Sequence, residues 1–156
     1  MVRLFLFIVL LATAALLWRV WRTWLRALQQ GNLAAATAAF VRRRASLAED
    51  FRAAADVTGK PRGLRWKKCE FQNGLTVARD RASGELVGLV PATIRFEAVA
   101  GGDMEDVEAV GNLRAATAVF TWTGHDWITA GRALFNLEPP EVLERYRDHL
   151  EPIATT

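Results

Sequence analysis

The stretch LAAATAAFVRRRASLAEDFRAAADV, residues 33–57, decides the fold of this chain. It is rich in alanine, and its larger apolar residues recur near the spacing of an α-helix. Asn32 before it is a suitable N-cap after a break at residues 29–32, and Gly59 and Pro61 follow it as helix-ending residues. The pattern predicts an amphipathic helix of about 25 residues whose apolar face needs a second layer to cover it. The positions that define this face are Leu33, Phe40, Leu47, Phe51 and Ala54.

Before this helix, the segment LLWRVWRTWLRALQQ, residues 16–30, interleaves tryptophans with arginines. It continues an uncharged apolar run, residues 4–18, which as a helix would be about 22 Å long, shorter than the roughly 30 Å hydrocarbon core of a bilayer. Residues 2–24 are long enough to span if the arginines reach the head groups and the tryptophans lie at the interface. We therefore predict a membrane anchor with a basic, aromatic interfacial segment at residues 1–28. The predicted interfacial residues are Trp18, Arg19, Trp21, Arg22, Trp24 and Arg26.

Two alternatives exist for the apolar run. The first is a cleaved signal peptide with Ala12-Thr13-Ala14 as the cleavage site, but this triplet lies inside the run rather than after it. The second is a buried helix of a soluble protein, which fits poorly with fifteen consecutive uncharged residues beside the N-terminus. An uncleaved single-pass anchor is the interpretation that we prefer.

The charge of the chain is distributed unevenly. Residues 1–68 hold 13 Lys and Arg against 3 Asp and Glu, whereas residues 69–156 hold 7 against 14. The basic part adjoins the apolar run, which suits anionic lipid head groups, whereas a nucleic-acid-binding domain would be basic in its folded part. Three arginines follow the run and only Arg3 precedes it, so the positive-inside rule predicts a domain on the cytoplasmic side. A domain that faces outward is the alternative.

After Pro61 the periodicity of the apolar residues becomes that of β-strands. Asn73-Gly74 predicts a hairpin between strands at residues 64–72 and 75–81. Ser83-Gly84 predicts a turn into a third strand, which extends to residue 98. Pro91, early in this third strand, indicates an edge position or a bulge.

Two further strands are predicted at residues 113–123 and 127–137, and Pro139-Pro140 predicts the start of a terminal helix that ends near residue 150. The predicted fold class is α+β. It has an N-terminal transmembrane helix, then a domain over residues 32–156 in which the long amphipathic helix packs on a five-stranded antiparallel sheet, with a short C-terminal helix. This order of elements resembles the layout of cystatin-like folds, in which a helix crosses a curved antiparallel sheet.

Three tryptophans and the sheet edges suggest where a partner binds. Trp66, Trp122 and Trp127 are candidates either to line a pocket for a small apolar ligand or to fill the core. Arg42-Arg43-Arg44 is a patch for lipid or a partner, or an ordinary solvated helix face. The open edges of the sheet need a cover, which a second copy of the chain would supply. The expected partners are the lipid bilayer and a protein partner or a homo-oligomer, with no nucleic acid.

Few residues indicate chemistry. His125-Asp126 pairs a base with a carboxylate, but neighbours in a turn rarely point together and no nucleophile motif accompanies them. Cys69 is the only cysteine, so no disulfide forms within the chain, and a reactive thiol would need the positive charge of Lys67 and Lys68. The acidic loop at residues 103–108 lacks the spacing of a calcium loop. We expect no cofactor, no metal and a non-enzymatic binding or assembly module, with an uncharacterised enzyme as the alternative.

Overall fold

The computed structural model describes residues 2–58, 64–105 and 107–155. Within the first helix, side chains are described at Thr13, at residues 16–21 and from Asn32 to the end of the helix. The chain divides into two compact units, Met1–Ala35 and Ala36–Thr156. The second unit contains every strand of the sheet.

The first helix, α1, runs without interruption over Val2–Thr58. The predicted helix over residues 33–57 is confirmed as its C-terminal part, but the predicted break at residues 29–32 is wrong. A glycine such as Gly31 costs only about 1 kcal/mol in a helix interior, whereas a proline costs about 3 kcal/mol. Glutamine is itself a good helix former, so the two glutamines before Gly31 do not end the helix.

The predicted membrane anchor at residues 1–28 lies largely outside the residues whose side chains the structure describes. Within the residues that were described, no helix is long and apolar enough to cross a membrane.

The second unit is built on an antiparallel sheet of seven strands rather than the predicted five. The region predicted as one strand at residues 127–137 forms two short strands, and the C-terminal segment adds a further strand that the sequence did not predict. The strands are β1 (Leu64–Phe71), β2 (Thr76–Asp80), β3 (Leu86–Ala98), β4 (Arg114–Trp122), β5 (Trp127–Ile128), β6 (Ala133–Phe135) and β7 (Leu150–Thr155). Their order is β5-β4-β3-β2-β7, with β1 paired to β3 and β6 paired to β4.

β1 and β2 do not form the hairpin that Asn73-Gly74 predicts. Both strands pair antiparallel with β3, β1 against residues 92–98 and β2 against residues 86–89. They therefore run in the same direction along β3 as two parts of one strand, and the segment between them interrupts it. Gly74, at a φ of 117°, supplies a backbone conformation that other residues rarely adopt.

Pro91 lies in the middle of β3 and faces this interruption. Its carbonyl accepts a hydrogen bond from the backbone N–H of Gln72 at 2.8 Å. The N and O of one residue in an antiparallel strand point to the same neighbour, so the N–H that proline lacks would also face the interruption. The prediction of an edge position is therefore wrong, because β3 lies between β4 and the β1–β2 pair. The bulge that was the alternative does not lie at Pro91 either, since the register shift on this side of β3 falls between Trp66 and Lys68 of β1.

The predicted turn at Ser83-Gly84 is confirmed, and it joins β2 to β3 as a hairpin. Gly84 has a φ of 76°, and its N–H donates to the carbonyl of Asp80 at 2.8 Å. The Asp80 carboxylate accepts from the backbone N–H groups of Ala82 and Ser83 at 2.8 and 3.0 Å. These bonds are local, which explains why the sequence predicts this turn correctly.

α1 covers one face of the sheet, as predicted, and the main core lies between them. Phe40, Leu47 and Phe51 of α1 are fully buried. The ring centroids of Phe40 and Phe51 lie 5.6 and 5.9 Å from the ring centroid of Phe120 on β4. Full burial of side chains of this size contributes about 1.5–3 kcal/mol each, so these contacts hold the helix on the sheet.

The second helix, α2 (Pro139–Arg145), packs on the opposite face of the sheet and confirms the predicted short C-terminal helix. Val142 is fully buried there against Val87 and Leu89 of β3. The predicted start at Pro139-Pro140 is correct, but the helix ends at Arg145 rather than near residue 150. The chain then forms β7, which pairs with β2 and places His149 in the connection instead of in the helix.

Candidate ligand-binding cleft

The three candidate tryptophans lie in the core between α1 and the sheet. Trp66, Trp122 and Trp127 are 7, 4 and 2% exposed. The ring centroids of Trp122 and Trp127 are 5.4 Å apart, and the ring centroids of Trp66 and Phe96 are 5.1 Å apart. The indole N–H of Trp127 donates to the carbonyl of Ala36 at 2.7 Å, which joins the edge of the sheet to α1. The helix-facing side of the sheet is therefore filled by side chains at these positions.

The predicted interfacial residues fall in the first unit. Trp18 and Trp21 are 60 and 59% exposed, and Arg19 is also exposed. The side chains of Arg22, Trp24 and Arg26 lie outside the described residues. The described part of this segment is thus an exposed helix surface that carries two tryptophans and an arginine.

A cleft lies on the other face of the sheet, beside α2. Its volume is about 380 Å³, which is within the range of small-molecule sites. Its apolar lining comes from three neighbouring strands, from α2 and from the start of β7. The apolar lining residues with large side chains are Val87, Leu89, Val119, Leu134, Val142 and Leu150. Because these positions belong to the opposite face from the tryptophans, the period-two alternation of the strands separates core from cleft.

Polar side chains interrupt this apolar lining. They are contributed by β2, β4, the β5–β6 connection, the end of α2 and the segment before β7. None of their side chains but that of Asp80 forms a hydrogen bond or an ion pair with another residue that the structure describes. The polar lining residues are Asp80, Thr121, Arg132, Tyr146 and His149.

The charge of Asp80 is stabilised by its own turn. The backbone N–H groups of Ser83 and Ala82 hold the pKa of the Asp80 carboxyl below its usual value, and the nearby His149 lowers this pKa further. Asp80 is therefore a carboxylate at neutral pH. Arg132 has no acidic partner among the described residues, so the cleft carries one negative charge, which backbone N–H groups stabilise without neutralising it, and one unpaired positive charge.

His125 and Asp126 do not act as a pair. The Asp126 carboxylate is bonded to the guanidinium of Arg43 on α1 and to the N–H of Trp127. The hydrogen bond from Arg43 is the largest cause that lowers the pKa of Asp126. The His125 ring instead lies 3.4 Å from the hydroxyl of Thr123. Asp126 therefore ties the β4–β5 turn to α1 and does not orient an imidazole.

Cys69 is half-buried and its chemistry is that of an unreactive thiol. Burial raises the pKa of the thiol to about 11, and Arg52 opposes this shift only in part. Lys67 and Lys68, the expected source of positive charge, are instead paired with Glu97 at 3.6 Å and Glu70 at 2.7 Å. A thiol with a raised pKa holds its proton at neutral pH and is a weak nucleophile.

The arginine triplet on α1 does not form one patch. Arg43 is bonded to Asp126 and to Asp50, and Arg44 donates to the carbonyl of Gln72. Arg42 is exposed. Two of the three arginines thus hold loops of the sheet against α1.

Among the described residues, no group of three or more His, Cys, Asp or Glu side chains is placed to hold a metal ion. In the acidic loop, Glu105 accepts a hydrogen bond from the N–H of Gly101 at 2.8 Å. Asp106 lies outside the described residues.

The sequence did not predict the cleft or its polar residues. Thr121 and Arg132 each stand between apolar or small residues in strand-like segments, and they come together with Tyr146 and His149 only through the sheet and α2. A signal was present for the first of them, because Thr121 alternates with the core residues Phe120 and Trp122 and must face the other side. No comparable signal exists for the residues after α2, since the sequence did not predict β7.

Comparisons with protein-family models, with curated proteins and with solved structures found no match to this chain. Its class therefore rests on its own fold and site, which are an α+β domain and a ligand-sized cleft.

Proposed function

We propose that this chain is a single-pass membrane protein whose α+β domain is a non-enzymatic binding or assembly module. The observation that carries the anchor is a group of exposed apolar side chains at residues 16–21 of α1, each between 59 and 69% exposed. Large exposed apolar side chains that are grouped in this way mark an interaction site or a membrane site. The exposed residues are Leu16, Leu17, Trp18, Val20 and Trp21.

Their chemistry favours the boundary of a bilayer over a protein partner. Tryptophan is enriched at membrane interfaces, where its ring lies among the head groups. Arg19 extends the same segment with a charge that reaches the head groups while its stem stays in apolar surroundings. The basic residues that follow the apolar run favour a domain on the cytoplasmic side, near anionic lipid.

The described titratable groups favour binding over catalysis. Asp80 and Asp126 are held as carboxylates by hydrogen bonds, and Cys69 is held as a neutral thiol. A general acid, a general base or a nucleophile would need the opposite shifts. The partners that we propose are the lipid bilayer and either another protein or a second copy of the chain. A strictly monomeric mass in detergent, with no associated protein, would count against the second kind of partner.

Extraction of membranes with alkaline carbonate tests the anchor. We expect the full-length chain to stay in the membrane pellet with its N-terminus intact. The double variant Leu10→Arg with Leu11→Arg should move to the supernatant, because each arginine in the middle of an apolar helix costs about 2.5–3.5 kcal/mol of insertion free energy.

The matched control places two arginines elsewhere on α1. Val41 and Ala45 are exposed positions of the second unit, so Val41→Arg with Ala45→Arg adds the same charge outside the apolar run. This control should stay in the pellet. Release of the intact wild-type chain by carbonate would refute the anchor, and a shortened N-terminus measured by mass spectrometry would show a cleaved signal instead.

A further inference from the structure

The cleft beside α2 has the properties of a site for a specific class of small molecule. About 380 Å³ is large enough for an organic ligand, and the apolar residues supply most of its lining. It is built from elements of one compact unit. The question that remains is which charge and which length a ligand should have.

The positive charge of the cleft determines which polar group a ligand should carry. Arg132 lines the cleft and forms no ion pair within the part of the chain that the structure describes. Thr121, which lies on β4 two residues after Val119, adds a hydroxyl with no partner among the same residues. The Arg132 carbonyl accepts from the N–H of Val119 at 3.0 Å, so the backbones of Arg132 and β4 are adjacent. An arginine beside a hydroxyl is a suitable receptor for a carboxylate.

Asp80 excludes a second negative charge at the other side of the cleft. Asp80 lies on β2, whereas Arg132 lies on the far side of β4. Because β3 and β4 are between them, the two residues are three strand spacings apart, or about 14 Å across the sheet. Its carboxylate would repel an anionic group there, and the valine and leucine side chains between the two positions offer only apolar contacts. The ligand should therefore carry one negative charge and an apolar body.

We propose that this cleft binds a medium-chain monocarboxylate, with the carboxylate at Arg132 and Thr121 and the hydrocarbon chain along Leu89, Val119 and Val142. This inference rests on the proposed binding role of the domain and names the class of its ligand. It does not depend on the anchor, because every lining residue belongs to the second unit.

Equilibrium dialysis with radiolabelled octanoate tests the proposal, with the full-length chain in lipid nanodiscs, or in buffer if carbonate releases it from membranes, and the matching protein-free sample as the blank. We expect saturable binding of octanoate above the blank. Octan-1-ol lacks the charge and should compete with octanoate at least about tenfold more weakly, because hydrogen bonds to charged groups are among the stronger polar contacts. Octanedioate adds a second carboxylate, which Asp80 should repel, so it should also compete at least about tenfold more weakly.

Two variants test the placement of the ligand. Arg132→Gln should weaken octanoate binding by about tenfold or more, whereas Arg147→Gln, an equal loss of charge at an exposed position outside the cleft, should change it by less than about twofold. Val119→Phe should abolish binding by filling the cleft, and Val41→Phe, at an exposed position of α1, should leave it unchanged. Circular dichroism verifies the fold of each variant.

Octanoate binding no greater than in the protein-free blank would overturn the proposal, as would equal competition by octan-1-ol or unchanged binding in Arg132→Gln. The two levels of interpretation fail separately. If the chain stays in the carbonate pellet and does not bind octanoate, only the ligand class is wrong. If it leaves the pellet and binds octanoate, the anchor is wrong and the ligand class stands.

Discussion

Gly131 lies where the connection between β5 and β6 meets the backbone of α1. It has a φ of 73°, and a Cβ added there would lie 2.6 Å from the Cα of Ala55 and closer still to the Ala55 nitrogen. Backbone atoms of a helix cannot move aside as the end of a flexible side chain can. A single hydrogen atom at this position therefore allows the sheet edge to approach the helix.

We predict that Gly131→Ala lowers the free energy of unfolding by about 3 kcal/mol or more, because overpacking and a left-handed backbone conformation both act against it. Gly84→Ala is the matched control: its φ is 76°, but an added Cβ has no atom within 4 Å. It should cost only about 1–2 kcal/mol. Urea unfolding measures both variants, and equal losses would contradict the steric argument.

Trp127 and Trp66 both face α1 from the sheet, but they contact their surroundings differently. The indole N–H of Trp127 is bonded to Ala36 on the helix, whereas the indole N–H of Trp66 has no hydrogen-bond partner among the described residues. Trp127 also packs on Gly88, where an added Cβ would lie 2.9 Å from its ring. The packing of helix on sheet therefore combines apolar burial with one specific polar contact.

Replacement of each tryptophan by phenylalanine separates these contributions. We predict that Trp127→Phe lowers the free energy of unfolding by about 1 kcal/mol more than Trp66→Phe, because only the first variant loses a hydrogen bond as well as volume. Chemical denaturation followed by circular dichroism provides the comparison. A larger loss for Trp66→Phe would refute the assigned role of the Trp127–Ala36 bond.

The ion pair between Arg43 and Asp126 joins α1 to the β4–β5 turn and makes part of the stability dependent on pH. The pKa of Asp126 is lower in the folded chain than in the unfolded chain, and the hydrogen bond from Arg43 is the main cause. The stabilisation is thus present above the ordinary aspartate pKa of about 3.9 and is lost as the pH falls through the lower folded value.

We predict that Asp126→Asn lowers the unfolding temperature at pH 7 by a small amount, since an exposed ion pair contributes at most about 1 kcal/mol. The difference from the wild type should disappear at a pH below the folded pKa. Asp103→Asn, the same substitution at an exposed position outside this ion pair, should change the unfolding temperature at pH 7 by less. An Asp126→Asn difference that persists unchanged in acid would argue against the ion pair as its cause.

The whole molecule is expected to place its domain on the cytoplasmic side of a membrane. We predict that green fluorescent protein fused to the C-terminus is fluorescent in a bacterial host, and that alkaline phosphatase fused there is inactive. Added positive charge at the N-terminus, as in Val2→Lys with Leu4→Lys, should reverse part of the population because the charge difference across the apolar run decides orientation. Active phosphatase in the wild-type fusion would instead assign the domain to the outside.

Much of the fold follows from local patterns. The residue spacing over 33–57 predicts the part of α1 that packs on the sheet, and alternation predicts β3 and β4 nearly to their ends. The Ser83-Gly84 turn and the proline start of α2 were also predicted, since each depends on hydrogen bonds or dihedral angles within a few residues.

The predictions failed where distant segments compete with a local preference. Asn73-Gly74 favours a hairpin between β1 and β2. Both strands instead pair antiparallel with the longer strand β3, so β2 continues in the same direction as β1. The segment after α2 has little strand character of its own and contains Pro152, yet it pairs with β2. The candidate site was not predicted for the same reason, because its lining comes from five strands and α2.

The sequence by itself determined the helix that covers the sheet, the main strands, the tight turn between β2 and β3 and the apolar run at the N-terminus. These are properties of spacing, of dihedral preference and of local charge. Only the tertiary structure decided the course of β1 and β2, the place of β7 and the cleft with Arg132 and Asp80. Each of these depends on pairing between residues far apart in the chain, and its free energy comes from contacts that exist only after the sheet has formed.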